Sequence, residues 1–168
     1  MKFHEHIIQV TVPGLPVEVE RADLVAGIAD YARHPERYLE EMSESRLTSG
    51  ERPGSSPDSV AFSREVRFGD RLVFVEEVEV GADGSYRSHV PADGPRPALD
   101  FSMQIEEPEP GSLFIRFIYF EDREAPAKES VRDQQITHLR RLAYESKDRS
   151  LVTQILTDLA ERKQASQN

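Results

Sequence analysis

The sequence predicts an α+β domain of seven strands and a long C-terminal helix, with two short helices after the first strand. Three observations carry this. Six strand-like segments follow one another between Met42 and Phe120 with no helix among them, which excludes a doubly wound α/β sheet, whose strands alternate with helices. Leu99 to Phe120 reads as a hairpin: Leu99, Phe101, Met103 and Ile105 alternate with Asp100, Ser102, Gln104 and Glu106, the period of a strand with one wet and one dry face. From Ser130 to about Lys163 no Gly or Pro interrupts the chain, so one long helix fits there.

In chain order, Lys2 to Val12 is an imperfectly alternating strand ended by Pro13, Gly14 and Pro16. Arg21 to Ala32 spaces Leu24, Ile28 and Tyr31 at helical intervals, and a short helix from Pro35 to Leu39 follows, since proline suits a helix's first position. Met42 to Thr48 is a weak strand. Residues 49–59, rich in Gly, Ser and Pro, read as a mobile loop inserted in the hairpin region. Val60, Phe62, Arg64, Val66 and Phe68 share one strand face, and Gly69–Asp70 turns into Leu72, Phe74, Glu76, Val78 and Val80. Asp83–Gly84 is a strong hairpin signal leading to Tyr86, Ser88 and Val90.

The organising hairpin turns at Glu107 to Gly111, a five-residue loop with a bulge at Gly111 in this reading, so that the dry set of the first arm meets Leu113, Ile115, Phe117 and Tyr119. Ser130 and Asp133 resemble a capping box at the start of the last helix. Within that helix Ile136, Leu139, Leu142 and Ala143 form one apolar stripe; Val152, Ile155, Leu156 and Leu159 form another. The polar stretch Glu145 to Ser150 between them suggests a kink or slip. The domain is expected to span residues 1–163, with 164–168 a frayed tail.

Length and composition narrow the function. A chain of 168 residues suits one domain, which buries roughly 70% of the surface its unfolded form exposes. Zero cysteines exclude disulfides, thiol nucleophiles and cysteine-held metals, and suit a reducing cytoplasm. No apolar run reaches the roughly 20 residues of a membrane span, and the start, MKFHEHIIQV, lacks a signal peptide's core. With 31 acidic against 21 basic residues the net charge is −10; such a field repels phosphate backbones, so nucleic acid is not an expected partner. His4 and His6 lie two apart on one strand face, but no third ligand has metal-site spacing, and neither metal nor cofactor is expected. The nucleophile-elbow, Walker, dinucleotide and His-Glu-x-x-His motifs are absent.

The run IEEPEPGSLFIRFIY, Ile105 to Tyr119, resembles the signature hairpin of the AtaL-like family, a group within the SRPBCC superfamily of START and birch-pollen-allergen proteins. That resemblance implies a helix-grip fold, a curved antiparallel sheet of seven strands around the long C-terminal helix, with an apolar cavity between them. Phe62, Phe74, Phe101, Met103, Ile115, Phe117, Tyr119, Leu139 and Leu142 are the expected wall. At ~24 cal/mol per Å³, a dry void of ~300 Å³ would cost about 7 kcal/mol, comparable to a whole domain's stability. The space is therefore filled by side chains, by water or by ligand.

Arg64 and Glu76 fall on otherwise apolar faces of adjacent strands. If both point inward they must pair or meet a polar ligand; otherwise a bulge turns them to solvent. In the functional alternative Arg64 orients an anionic ligand group while Glu76 or Tyr119 handles a proton. The apolar outer face around Arg116, Phe114 and Ile118 is covered either by a loop or by a second subunit, which makes a homodimer one expected partnership. Three functions compete: binding of a small hydrophobic or aromatic metabolite, a cyclase, dehydratase or aromatase acting in the same cavity, and an interaction or co-regulatory role.

Overall fold

Alternation of apolar and polar residues, clearest in residues 99–106, builds one antiparallel sheet, and the phase of a single long helix decides what faces its inner side. The computed structural model describes all 168 residues. The elements are β1 (Lys2–Gln9), α1 (Arg21–Arg33), a 3₁₀ turn (Pro35–Arg37), β2 (Met42–Leu47), β3 (Arg52–Pro53), β4 (Ser59–Phe68), β5 (Leu72–Gly81), β6 (Tyr86–Val90), β7 (Leu99–Glu109), β8 (Ser112–Glu121) and α2 (Val131–Gln167). The strand order is β1-β8-β7-β6-β5-β4-β2, with β3 paired to β4 beside it. The expected seven strands are thus joined by an eighth, the two-residue β3. It arises inside the 49–59 segment, where Arg52 and Pro53 lie opposite Ala61 and Val60. Ser55 and Ser59 also donate to the Glu79 carboxylate, and Arg33 bonds Glu51, so side chains tie this segment to its surroundings.

In the central hairpin Phe101 lies opposite Tyr119, Met103 opposite Phe117 and Ile105 opposite Ile115, while Leu99 meets Glu121. The turn is tighter than the five-residue loop expected. Strand β7 continues to Glu109, Pro110–Gly111 alone make the corner with Gly111 at φ 80°, and the bulge falls between Glu106 and Glu109. Pro108, which has no N–H to give the ladder, sits at that bulge.

Helix α2 is one uninterrupted element, capped by Ser130, whose hydroxyl accepts from the Asp133 N–H at 3.1 Å. It runs through Gln167, into the segment expected as a frayed tail. Its buried stripe is Asp148, Leu151, Val152, Ile155 and Leu159. Carried back by helical turns, that stripe meets Tyr144, Arg141 and Thr137 rather than Leu139 and Leu142. Leu139 and Leu142 are 64% and 48% exposed and stand outside the interior wall expected of them. Leu139→Ser should accordingly change stability by no more than about 0.5 kcal/mol in urea unfolding. A wall residue losing its apolar side chain would cost about 2–5 kcal/mol.

Helix α1 crosses α2 at Gly27, where an added Cβ would stand 2.7 Å from Ile155 Cγ2. A glycine leaves room for the Ile155 side chain at this crossing. Leu24, Ile28 and Tyr31 of α1 join Phe62, Val66, Val78, Tyr86, Met103 and Phe117 of the sheet in one buried cluster of 26 apolar residues.

Candidate functional site

Two polar constellations lie within this apolar interior. In the first, Arg64 is 1% exposed and points inward from β4. Its Nε donates to Glu76 Oε2 at 2.8 Å, Nη2 donates to the Tyr86 hydroxyl at 2.7 Å, and Nη1 reaches the carbonyls of Ala32 and Tyr31. Burial alone would lower the guanidinium's pKa, but Tyr86 and Glu76 more than offset this and hold it above its ordinary value. Both residues therefore face inward and pair, as the cross-strand register Arg64–Glu76 allows. All three guanidinium nitrogens are engaged, so Arg64 ties the last turn of α1 to β4 and β5 and keeps no donor for a ligand anion.

The second constellation joins β1, β8 and α2. Asp148 is fully buried. Both its oxygens accept from the Tyr119 hydroxyl at 2.8 Å, and Oδ2 lies 2.7 Å from His6 Nε2. The Lys147 ammonium stands 3.6 Å from Oδ1. One turn back, Tyr144 stacks on Tyr119 with ring centroids 4.1 Å apart, and Phe101 lies 4.7 Å from Tyr119. Lys147 lies over these rings, its Nζ 4.3 Å from the Phe101 centroid, 5.1 Å from Tyr119 and 5.9 Å from Tyr144. Its side chain is 29% exposed, so the box opens to water along that stem. His4 and His6, two apart on one face of β1, face this constellation, His4 lying 3.0 Å from Glu145 and His6 against Asp148.

Burial pushes the Tyr119 phenol well above its ordinary range, and the adjacent Asp148 charge adds to the shift. Burial likewise raises Tyr31 and Tyr86. A phenol whose folded pKa exceeds its unfolded value of about 10 contributes stability that is complete below that pH and lost as pH rises past it. Thermal stability should therefore be flat to about pH 9 and fall above about pH 10. Ultraviolet difference absorbance should show these three phenols ionising only as the chain unfolds.

Of the other expected wall residues, Phe62, Met103, Ile115 and Phe117 are buried in the common core, and Phe74 is half-buried under Arg96, whose guanidinium stands 4.7 Å from its ring. The interior holds side chains where an open apolar cavity was expected, and Phe101 alone of the expected wall borders a large concavity. That concavity, about 590 Å³, lies on the opposite sheet face among Arg52, Glu77, Arg87, His89, Asp100 and Phe120. Its charges are largely paired internally, Arg52 with Glu77 and His89 with Asp100. Arg116, also on that face, is held by Glu5 and Glu106. Asp148 and Lys147 were not legible in the sequence because the polar stretch Glu145 to Ser150 looked like a gap between apolar stripes, and Tyr144 borders that gap.

The fold recurs widely. A START superfamily protein from Mycobacterium smegmatis superposes with a TM-score of 0.59 at 12% identity, covering 90% of this chain and 95% of that one. The protein XoxI from Bacillus cereus gives 0.58 at 17% identity, covering 91% and 94%. The Zhui aromatase/cyclase from Streptomyces sp. R1128 gives 0.55 at 11% identity, covering 95% and 93%. Among curated protein sequences none matches this chain. No helix is long and apolar enough to cross a membrane. The α+β helix-grip fold is thus established. The match to the family described as AtaL, acetylaranotin biosynthesis cluster protein L, extends over residues 8–161, and the chain belongs to that family.

Proposed function

We propose that this protein binds a small hydrophobic or aromatic metabolite between the sheet and α2, against the ring faces of Phe101, Tyr119 and Tyr144. The observation that carries the reading is the nature of the cover. Lys147, a flexible side chain reaching water, covers Phe101 beside the Tyr119–Tyr144 stack, and no rotamer-rich stem need stay there when a flat ligand offers better stacking. Swinging Lys147 outward opens the box without unfolding the grip. The helix-grip neighbours support this reading, and the absence of cysteine suits work in the cytoplasm.

Native mass spectrometry of freshly purified protein, joined to fluorescence titration with the neutral probe N-phenyl-1-naphthylamine, tests it. The expected result is a retained small molecule or a saturable probe site, weakened at least about tenfold by Phe101→Ala. A clean ligand-free spectrum with no saturable probe binding would refute it.

A second reading, a cyclase, dehydratase or aromatase acting at the same place, is favoured by one observation. The Tyr119 phenol, held protonated by burial, donates to Asp148, which His6 also contacts, so a proton donor and a path for its proton adjoin the rings. Turnover of the retained molecule, lost in Tyr119→Phe, would establish it; unchanged ligand after incubation would not.

A further inference from the structure

We infer that the box formed by Phe101, Tyr119 and Tyr144 with Asp148 is a cation subsite whose ligand carries an ammonium group on an aromatic or apolar body. The inference rests on the proposed binding reading and names the class of molecule it takes.

Lys147 shows what chemistry the subsite accepts. Its ammonium lies 4.3 Å from the Phe101 ring centroid and 5.1 Å from that of Tyr119, inside the distance at which a ring's negative face attracts a cation. Tyr144 closes a third side at 5.9 Å. Beneath the rings stands a carboxylate with no exposure to water, 3.6 Å from the same nitrogen. A buried carboxylate depends on compensating positive charge, and the cations beside Asp148 are Lys147 and, when protonated, His6.

The consequence is selectivity. A neutral aromatic that pushes Lys147 into solvent removes positive charge from Asp148 and returns none. An ammonium-bearing ligand replaces that charge and keeps the ring faces occupied. The chain's net charge of −10 further raises the local concentration of cations.

The probes are 2-phenylethylammonium and its neutral isostere 2-phenylethanol, titrated into the full chain at neutral pH and followed by calorimetry. The ammonium should bind at least about tenfold tighter than the alcohol. Lys147→Ala, which removes the internal competitor, should tighten the ammonium several-fold further. Asp148→Asn should bring the two probes to parity; should that variant fail to fold, Phe101→Leu, which keeps an apolar core residue but removes one ring, should cut the preference. Equal affinities for both probes in the unaltered chain would overturn the cation subsite while leaving the aromatic site standing. Binding of neither probe, to the unaltered chain or to Lys147→Ala, would overturn both.

Discussion

Replacing Arg64 with methionine should destabilise the protein by about 3–5 kcal/mol, because it breaks a buried pair from one side only. The carboxylate of Glu76, 14% exposed, would lose the guanidinium whose Nε and Nη2 both reach its Oε2. The Tyr86 hydroxyl and the carbonyls of Ala32 and Tyr31 would lose a donor in the same step. Each buried group left without a partner costs about 1–3 kcal/mol. The double variant Arg64→Met with Glu76→Met should recover most of the loss, since removing both charges leaves no orphaned ion. Urea unfolding of the two variants checks this; a single-variant loss below about 1 kcal/mol would show that water already compensates Glu76.

The second large effect is expected at Gly27. A side chain there would drive into Ile155 at 2.7 Å and force apart the helices that close the interior. Gly27→Leu should cost about 3 kcal/mol, the upper end of overpacking penalties. Gly27→Ala should cost less, because helix propensity returns up to about 1 kcal/mol. Combining Gly27→Leu with Ile155→Ala should be less damaging than the sum of the two, as expected for residues in direct contact. Additive losses would mean that α1 and α2 do not meet at these two residues.

Both predictions concern parts of the fold that were unequally legible from the amino-acid sequence. The sheet was readable because a strand's period of two is unforgiving: Phe101, Met103, Ile105, Ile115, Phe117 and Tyr119 could share a buried face in one phase only, and they do. Arg64 and Glu76 were readable as partners for the same reason, their strands being consecutive and their faces otherwise apolar. The tight Pro110–Gly111 corner was hidden by Pro108, whose missing donor looked like a longer turn rather than a bulge.

Helix α2 was harder. Its N-terminal half carries an apolar stripe, Ile136, Leu139 and Leu142, that faces water, while its inward face carries Tyr144 and Asp148. Hydropathy alone picks the wrong face there. Phase does not: the strong stripe Leu151, Val152, Ile155 and Leu159 fixes the helix's rotation, and four residues before Val152 stands Asp148. A charged residue on a core-facing stripe is the signal that could have located the site. No such pattern foretells that His6, more than 140 positions away, would meet it, because that contact exists only once β1 joins the far edge of the sheet.

Intermolecular nuclear Overhauser effects between a bound aromatic probe and assigned ring protons test most directly whether the grip of sheet on helix holds a ligand. With 2-phenylethylammonium, cross-peaks are expected to the rings of Phe101, Tyr119 and Tyr144. Cross-peaks to Phe120 and His89 instead, with the inner rings silent, would place binding in the concavity on the opposite sheet face and contradict an interior site.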